Sequence, residues 1–175
     1  LQFQPLISMA CEYIVSKNTK LKSKCWILLR SLFLRFSDSH FIEHWSMLTY
    51  CLQTNLQEFF ESLHIQEEVD VGLLLQTCKT LDLLLVLNLE DFSSTNEWLF
   101  VIDTVNCIYK EYPFMSLVDE IYEYKEFERS TVEDVEPLGE VQMDVPLLIG
   151  VTSIKSYTQL KSFFQQLSYA HYKFI

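Results

Sequence analysis

Residues 40–44, His40-Phe41-Ile42-Glu43-His44, read H-x-x-E-H. On a helix that spacing puts two imidazoles one turn apart, where they can share a zinc ion while the glutamate acts as general base. A zinc hydrolase on His40, Glu43 and His44 is therefore one candidate chemistry. The setting is poor for it. The motif opens its helix directly after Ser37-Asp38-Ser39, a capping sequence, and no acid stands out as a third ligand. The plainer expectation is two solvent-facing histidines and no metal. His64 and His171 sit in no recognisable motif, so neither a Ser–His–Asp nor a Cys–His set can be assembled. The three glycines, Gly72, Gly139 and Gly150, are scattered. Nothing can wrap a phosphate in the manner of a dinucleotide fingerprint or a P-loop. The expectation is no enzyme and no cofactor.

Recognition is the other chemistry available. The net charge of −11 argues against a nucleic-acid partner, which calls for a basic footprint. The charge is unevenly spread. Between Tyr13 and Ser37 there is no acid, while Lys17, Lys20, Lys22, Lys24, Arg30 and Arg35 all fall there. That stretch can pair with the acid-rich 119–144 segment of the same chain, or face anionic lipid or an acidic partner. The four lysines are expected to be exposed together, and at least one of the arginines to face the protein. Tyr122 and Tyr124, among acids, and Tyr172 and Phe174, in an aromatic tail, complete the candidate interaction surface. The five cysteines, Cys11, Cys25, Cys51, Cys78 and Cys107, are odd in number and lack CxxC spacing. They read as reduced core residues of a cytosolic protein.

The elements that must position these residues are helices. The stretch 72–89 is apolar almost all round, and it predicts a central helix over about 68–88. Gln76, Thr77, Lys79, Thr80 and Asp82 interrupt it, leaving it short of the roughly 20 apolar residues of a membrane span. Lys79 and Asp82, three apart, are expected to pair on its one wet strip. Helices are predicted over 5–16 and 21–36, the latter inward through Trp26, Ile27, Leu29, Phe33 and Phe36. A third, over about 40–63, carries the stripe Phe41, Trp45, Leu48, Leu52, Leu56, Phe59 and Leu63, close to an ideal helical period. The second and third, joined by a short turn, should lie antiparallel, as in a HEAT or armadillo unit. Further helices are predicted at 104–111, 113–127 and 157–172, the last capped by Ser156. The runs 98–102 and 145–151 read as extended and could pair into a very small sheet. Residues 128–144, acidic and holding Pro137 and Gly139, read as a mobile loop. The fold expectation is one mainly α domain over 1–175. Lacking an initial Met, it reads as a fragment of a longer protein.

Several pieces of the chain resemble a known family. Cys78-Lys79-Thr80-Leu81-Asp82-Leu83 resembles a Cys-Lys-x-Leu-Asp-Leu segment near the C-terminus of the Dopey family, fungal type. Leu34-Arg35-Phe36-Ser37, His40 and Trp45 upstream, Trp98 and Phe100 downstream, and Leu147-Leu148, Leu160, Phe163-Phe164 and Leu167-Ser168 at the end follow that family's order and spacing. His44 departs, standing where the family carries an apolar residue, and 104–144 does not align. The resemblance implies a C-terminal piece of a large, non-enzymatic scaffold, cytoplasmic and peripheral on Golgi and endosome membranes. It implies an Arf-exchange-factor-like scaffold protein as partner, and an aminophospholipid flippase. It names no binding residue. A peripheral lipid-binding module using the basic 17–35 stretch is the alternative, with membrane contact otherwise indirect or weak. A homodimer is compatible with either reading.

Overall fold

A computed structural model describes residues 3–17, 19–64, 68–87, 89 and 145–164. Among these the chain is helical, with no strand. Helix α1 spans Phe3–Ile14, α2 spans Thr19–Phe33, α3 spans Trp45–His64 and α4 spans Val71–Leu87. Pro5 lies in the first turn of α1, where its missing N–H costs nothing. Asp70 caps α4 by accepting the Leu73 N–H at 2.9 Å. Tyr157–Leu160 form a single 3-10 turn. It opens with a capping box in which the Ser156 hydroxyl accepts the Thr158 N–H and the Gln159 side chain accepts the Ser156 N–H.

α2 packs chiefly on α1 and α4, and α3 packs on those same two helices. α2 and α3 therefore pack on shared neighbours more than on each other. The connection between the second and third helices is not the short turn expected. It runs through two 3-10 turns, Asp38–His40 and Ile42–His44, with buried Phe41 between them. Phe41 and the stacked pair Phe33–Trp45, with ring centroids 5.9 Å apart, fill that corner. The predicted helix over 40–63 accordingly starts five residues late, at Trp45. Its stripe from Phe41 to Phe59 is buried throughout.

The core gathers Ile7 and Ile14 from α1, Trp26 and Leu29 from α2, Leu48, Leu52 and Leu56 from α3, and Leu75, Leu81 and Leu84 from α4. α4 is the most enclosed: nine of its residues are buried, three of them polar. Leu148, Leu160, Phe163 and Phe164 join the same core from the far end of the chain.

The extended pairing of 145–151 with 98–102 is not supported at its described end. Residues 147–150 form a turn, held by Ile149 N–H to Pro146 O at 3.3 Å and Val151 N–H to Leu148 O at 3.1 Å. The Leu147 and Leu148 N–H groups are bound by a side chain of α4, which leaves them no ladder to join. Residues 98–102, the predicted helices at 104–111 and 113–127, the acidic 128–144 stretch, Tyr122, Tyr124, Cys107, and His171, Tyr172 and Phe174 lie outside the described residues. So does the predicted helix 157–172 beyond residue 164.

Candidate protein-interaction surface

The sequence groups four lysines as one exposed patch, and the structure divides them. Lys17, Lys20 and Lys24 are exposed. Lys22 is 3% exposed. One helical turn does this: Lys22 lies on the inward side of α2 with Trp26, and its ammonium reaches across to the Glu58 carboxylate of α3. Beside it, Asn55 ties three helices together. With its amide turned to suit both neighbours, its nitrogen donates to Ile14 O at 3.3 Å and its oxygen accepts from Trp26 Nε1 at 2.7 Å. Lys22 is thus part of the packing and not of a binding face.

Arg30 also turns inward, as expected of one of the two arginines. Nη1 donates to Gln76 O at 2.7 Å and to Thr80 Oγ1 at 3.2 Å, and Nη2 donates to Gln76 Oε1. Burial holds its pKa below the ordinary arginine value. Arg35, one turn beyond, is exposed. Ile27, expected on the core side, is 48% exposed. The inward arc of α2 is instead Lys22, Trp26, Leu29, Leu32 and Phe33.

Asp82 overturns a second expectation. It does not share a wet strip with Lys79; it is 0% exposed. Its Oδ1 accepts the Leu147 N–H at 3.1 Å and its Oδ2 the Leu148 N–H at 2.7 Å. Burial raises its pKa, against the lowering effect of those two backbone donors and of the Lys79 ammonium. A buried carboxylate is costly unless bonded, and here it is bonded to the turn at 147–150. Nothing in the local pattern of α4 announces this, because the partner lies 65 residues away.

The histidines of H-x-x-E-H do not share a helix face. His40 is exposed, its Nδ1 2.9 Å from Ser37 Oγ, and its ring lies edge-on to Phe3 and Phe36. His44 belongs to the second 3-10 turn and is buried, contrary to the solvent-facing expectation. Glu43 is exposed and accepts from Gln4 Nε2 at 3.2 Å. Among the described residues no group of three or more His, Cys, Asp or Glu is placed to hold a metal ion. An open cleft of about 620 Å³ lies beside His40 and Glu43, between them and Phe3–Pro5.

Cys11, Cys25, Cys51 and Cys78 are free thiols, and all but Cys25 are buried. Burial raises the pKa of Cys25 and Cys78; a hydrogen bond with Cys11, and then burial, raise that of Cys51, while the same bond lowers that of Cys11 against its burial. A thiol held protonated is a poor nucleophile. The side chains with reactive potential thus bond helix to helix: Lys22 α2 to α3, Arg30 α2 to α4, and Asp82 α4 to the 147–150 turn. No helix among the described residues is long and apolar enough to cross a membrane.

The outward face remains. The exposed residues of α2 and its end are Lys20, Leu21, Lys24, Ile27, Ser31, Leu34 and Arg35. Lys17 precedes them. No acid stands in the first turn of α2. None of Lys17, Lys20, Lys24 and Arg35 has an ion pair or side-chain hydrogen bond among the described residues. This is an apolar-basic surface on a chain of net charge −11.

Comparison with known proteins places the chain. Residues 1–175 match the family model described as DOP1 C-terminal. The chain is 60% identical to "Protein DOP1" of Saccharomyces cerevisiae over 173 residues, which are 99% of this chain and 10% of that protein. It is 34% identical to "Protein dop1" of Emericella nidulans over 108 residues, 61% of this chain and 6% of that protein. The chain therefore spans a tenth or less of the length of these relatives. No solved structure matches it. With a family match along its whole length, the chain belongs to the Dopey, or DOP1, family and corresponds to its C-terminal region.

Proposed function

We propose that this domain is a non-enzymatic scaffold module in membrane traffic between endosomes and Golgi, acting by protein–protein interaction. Membership in the DOP1 family over the whole chain is the observation that carries the reading. The geometry agrees with it, since Lys22, Arg30 and Asp82 brace helices and leave a surface to offer. The partners proposed are an Arf-exchange-factor-like scaffold protein and an aminophospholipid flippase. The location proposed is cytoplasmic, peripheral on Golgi and endosome membranes. Anionic lipid binding through 17–35 is the second reading. Its support is the exposed set Lys17, Lys20, Lys24 and Arg35.

The test is co-precipitation from cells expressing the protein with and without residues 1–175. Loss of the exchange-factor-like scaffold or the flippase on removal, with cargo failing to recycle, is the expected result. Unchanged partners and unchanged recycling would sink the scaffold reading.

A further inference from the structure

At 100° per residue the outward residues of α2, continued through Leu34 and Arg35 in the turn that follows it, fall into three lines. Ile27 and Leu34, seven apart, form one border, and Leu21 and Leu28, also seven apart, form the other. Lys20, Lys24, Ser31 and Arg35 run between them. Leu34 is 65% exposed, Ile27 48% and Leu21 36%; Leu28 is half-buried. The strip is about one helix wide and four turns long.

Two features point to a ligand. Lys20 lies in the first turn of α2 with Lys17 before it and Lys24 one turn on, and no acid stands in that turn. Cations at a helix N-terminus oppose the macrodipole. Lys22 in the same turn is neutralised by Glu58, whereas the other three have no ion pair among the described residues. The second feature is the order of the lines. An interfacial membrane helix puts its apolar residues in the centre of the buried face and its cations at the rims, where they reach the headgroups. Here the cations are central and the apolar residues marginal, so immersing Ile27 and Leu34 would drag the lysines in with them. An acidic helix laid along α2 meets the reverse demand. Its carboxylates face the central cations, and apolar residues three and four positions away cover the two borders.

We propose that the outward face of α2 is the docking surface for an acidic amphipathic helix of a protein partner. Lys20, Lys24 and Arg35 pair with its carboxylates, and Ile27 and Leu34 are its main apolar contacts. This deepens the scaffold reading and rests on it. It removes Lys22 from the interaction surface and adds Ile27, Leu34 and Arg35.

The test puts a photo-crosslinking amino acid at Ser31 in the protein expressed from its own gene. The expected product joins residue 31 to a different protein, at a segment carrying acids and large apolar residues three and four apart. Lys20→Glu, Lys24→Glu and Arg35→Glu together lower its yield about tenfold or more. Changing the acids of the captured segment to Lys restores the yield with the triple variant, a rescue that an unfolded domain would not show. Failure of that rescue overturns the proposal. So do crosslinks to phospholipid, to the acid-rich 119–144 segment of the same chain, to a second copy of this chain or to a segment without the acidic-apolar pattern, and so does the absence of any product. If removing residues 1–175 displaces partners but the triple variant does not, this surface is wrong and the scaffold reading stands. If neither displaces them, the scaffold reading fails as well.

Discussion

Asp82 shows how much one side chain can commit. It is wholly buried in α4, and each of its oxygens holds one backbone N–H of the 147–150 turn. Asp82→Ala leaves both donors without acceptors and opens a small cavity. The expected loss is about 2–4 kcal/mol, read as a fall in the urea midpoint. Protonation adds a second readout. Burial raises the folded pKa of Asp82 above its unfolded value. Between those two values the folded state therefore binds more protons than the unfolded one, so this group's contribution to stability grows as pH falls and shrinks as pH rises. Measured against Asp82→Asn, which does not titrate, the wild-type protein should gain relative stability from neutral pH toward pH about 4. A wild-type protein that loses stability relative to Asp82→Asn on acidification would contradict the assigned environment. Asn55, Lys22 and Arg30 work in the same way, each an inward polar residue spanning two or more helices.

At the scale of elements, α4 is the helix that the others enclose. Leu74, Leu75, Cys78, Leu81 and Leu84 are buried, with Thr77, Thr80 and Asp82 buried among them. Its polar residues do not form a solvent-facing strip, because α2 and the 147–150 turn cover that side. Arg30 from α2 takes the Gln76 carbonyl and the Thr80 hydroxyl, and the turn takes Asp82. Leu84 is 1% exposed and belongs to the hydrophobic core cluster. Leu84→Asp places a bare carboxylate there, at a cost of several kcal/mol against a reserve of about 5–15 kcal/mol. The expected outcome is loss of the helical circular dichroism signal at ambient temperature. A folded, cooperatively melting Leu84→Asp domain would show that α4 is not central.

For the whole molecule the governing quantity is charge. Six cations fall in the acid-free stretch from Tyr13 to Ser37, but Lys22 and Arg30 are turned inward. At about 1 kcal/mol for each cation that reaches an anionic surface, the remaining Lys17, Lys20, Lys24 and Arg35 give about 4 kcal/mol at best, or millimolar affinity. The net charge of −11 opposes even that. Little of the domain should float with anionic liposomes at physiological salt. Substantial flotation that Lys17→Glu, Lys20→Glu and Lys24→Glu abolish would favour the lipid-binding reading over the scaffold one.

The sequence by itself determined what depends on nearest neighbours along the chain. The 4-3-4 spacing from Phe41 to Phe59 marked a buried face, the apolar run at 72–89 marked the enclosed helix, and Ser156 marked a cap. Each of these is a local period or a local hydrogen bond, so each is legible without a fold. The family resemblance was legible for the same reason, through the order and spacing of short motifs. What only the tertiary structure decided is where the polar residues on those faces point. Lys20, Lys22 and Lys24 are equivalent as a composition, and Glu58 on another helix separates them. Asp82 looks like half of a surface ion pair until the 147–150 turn, 65 residues on, supplies two N–H donors. His40 and His44 have metal-like spacing only if the backbone between them is α-helical. The two 3-10 turns around Phe41 put one in solvent and the other in the core. In each case the deciding partner comes from a distant part of the chain or from a break in the assumed helix, and neither is encoded in a five-residue pattern.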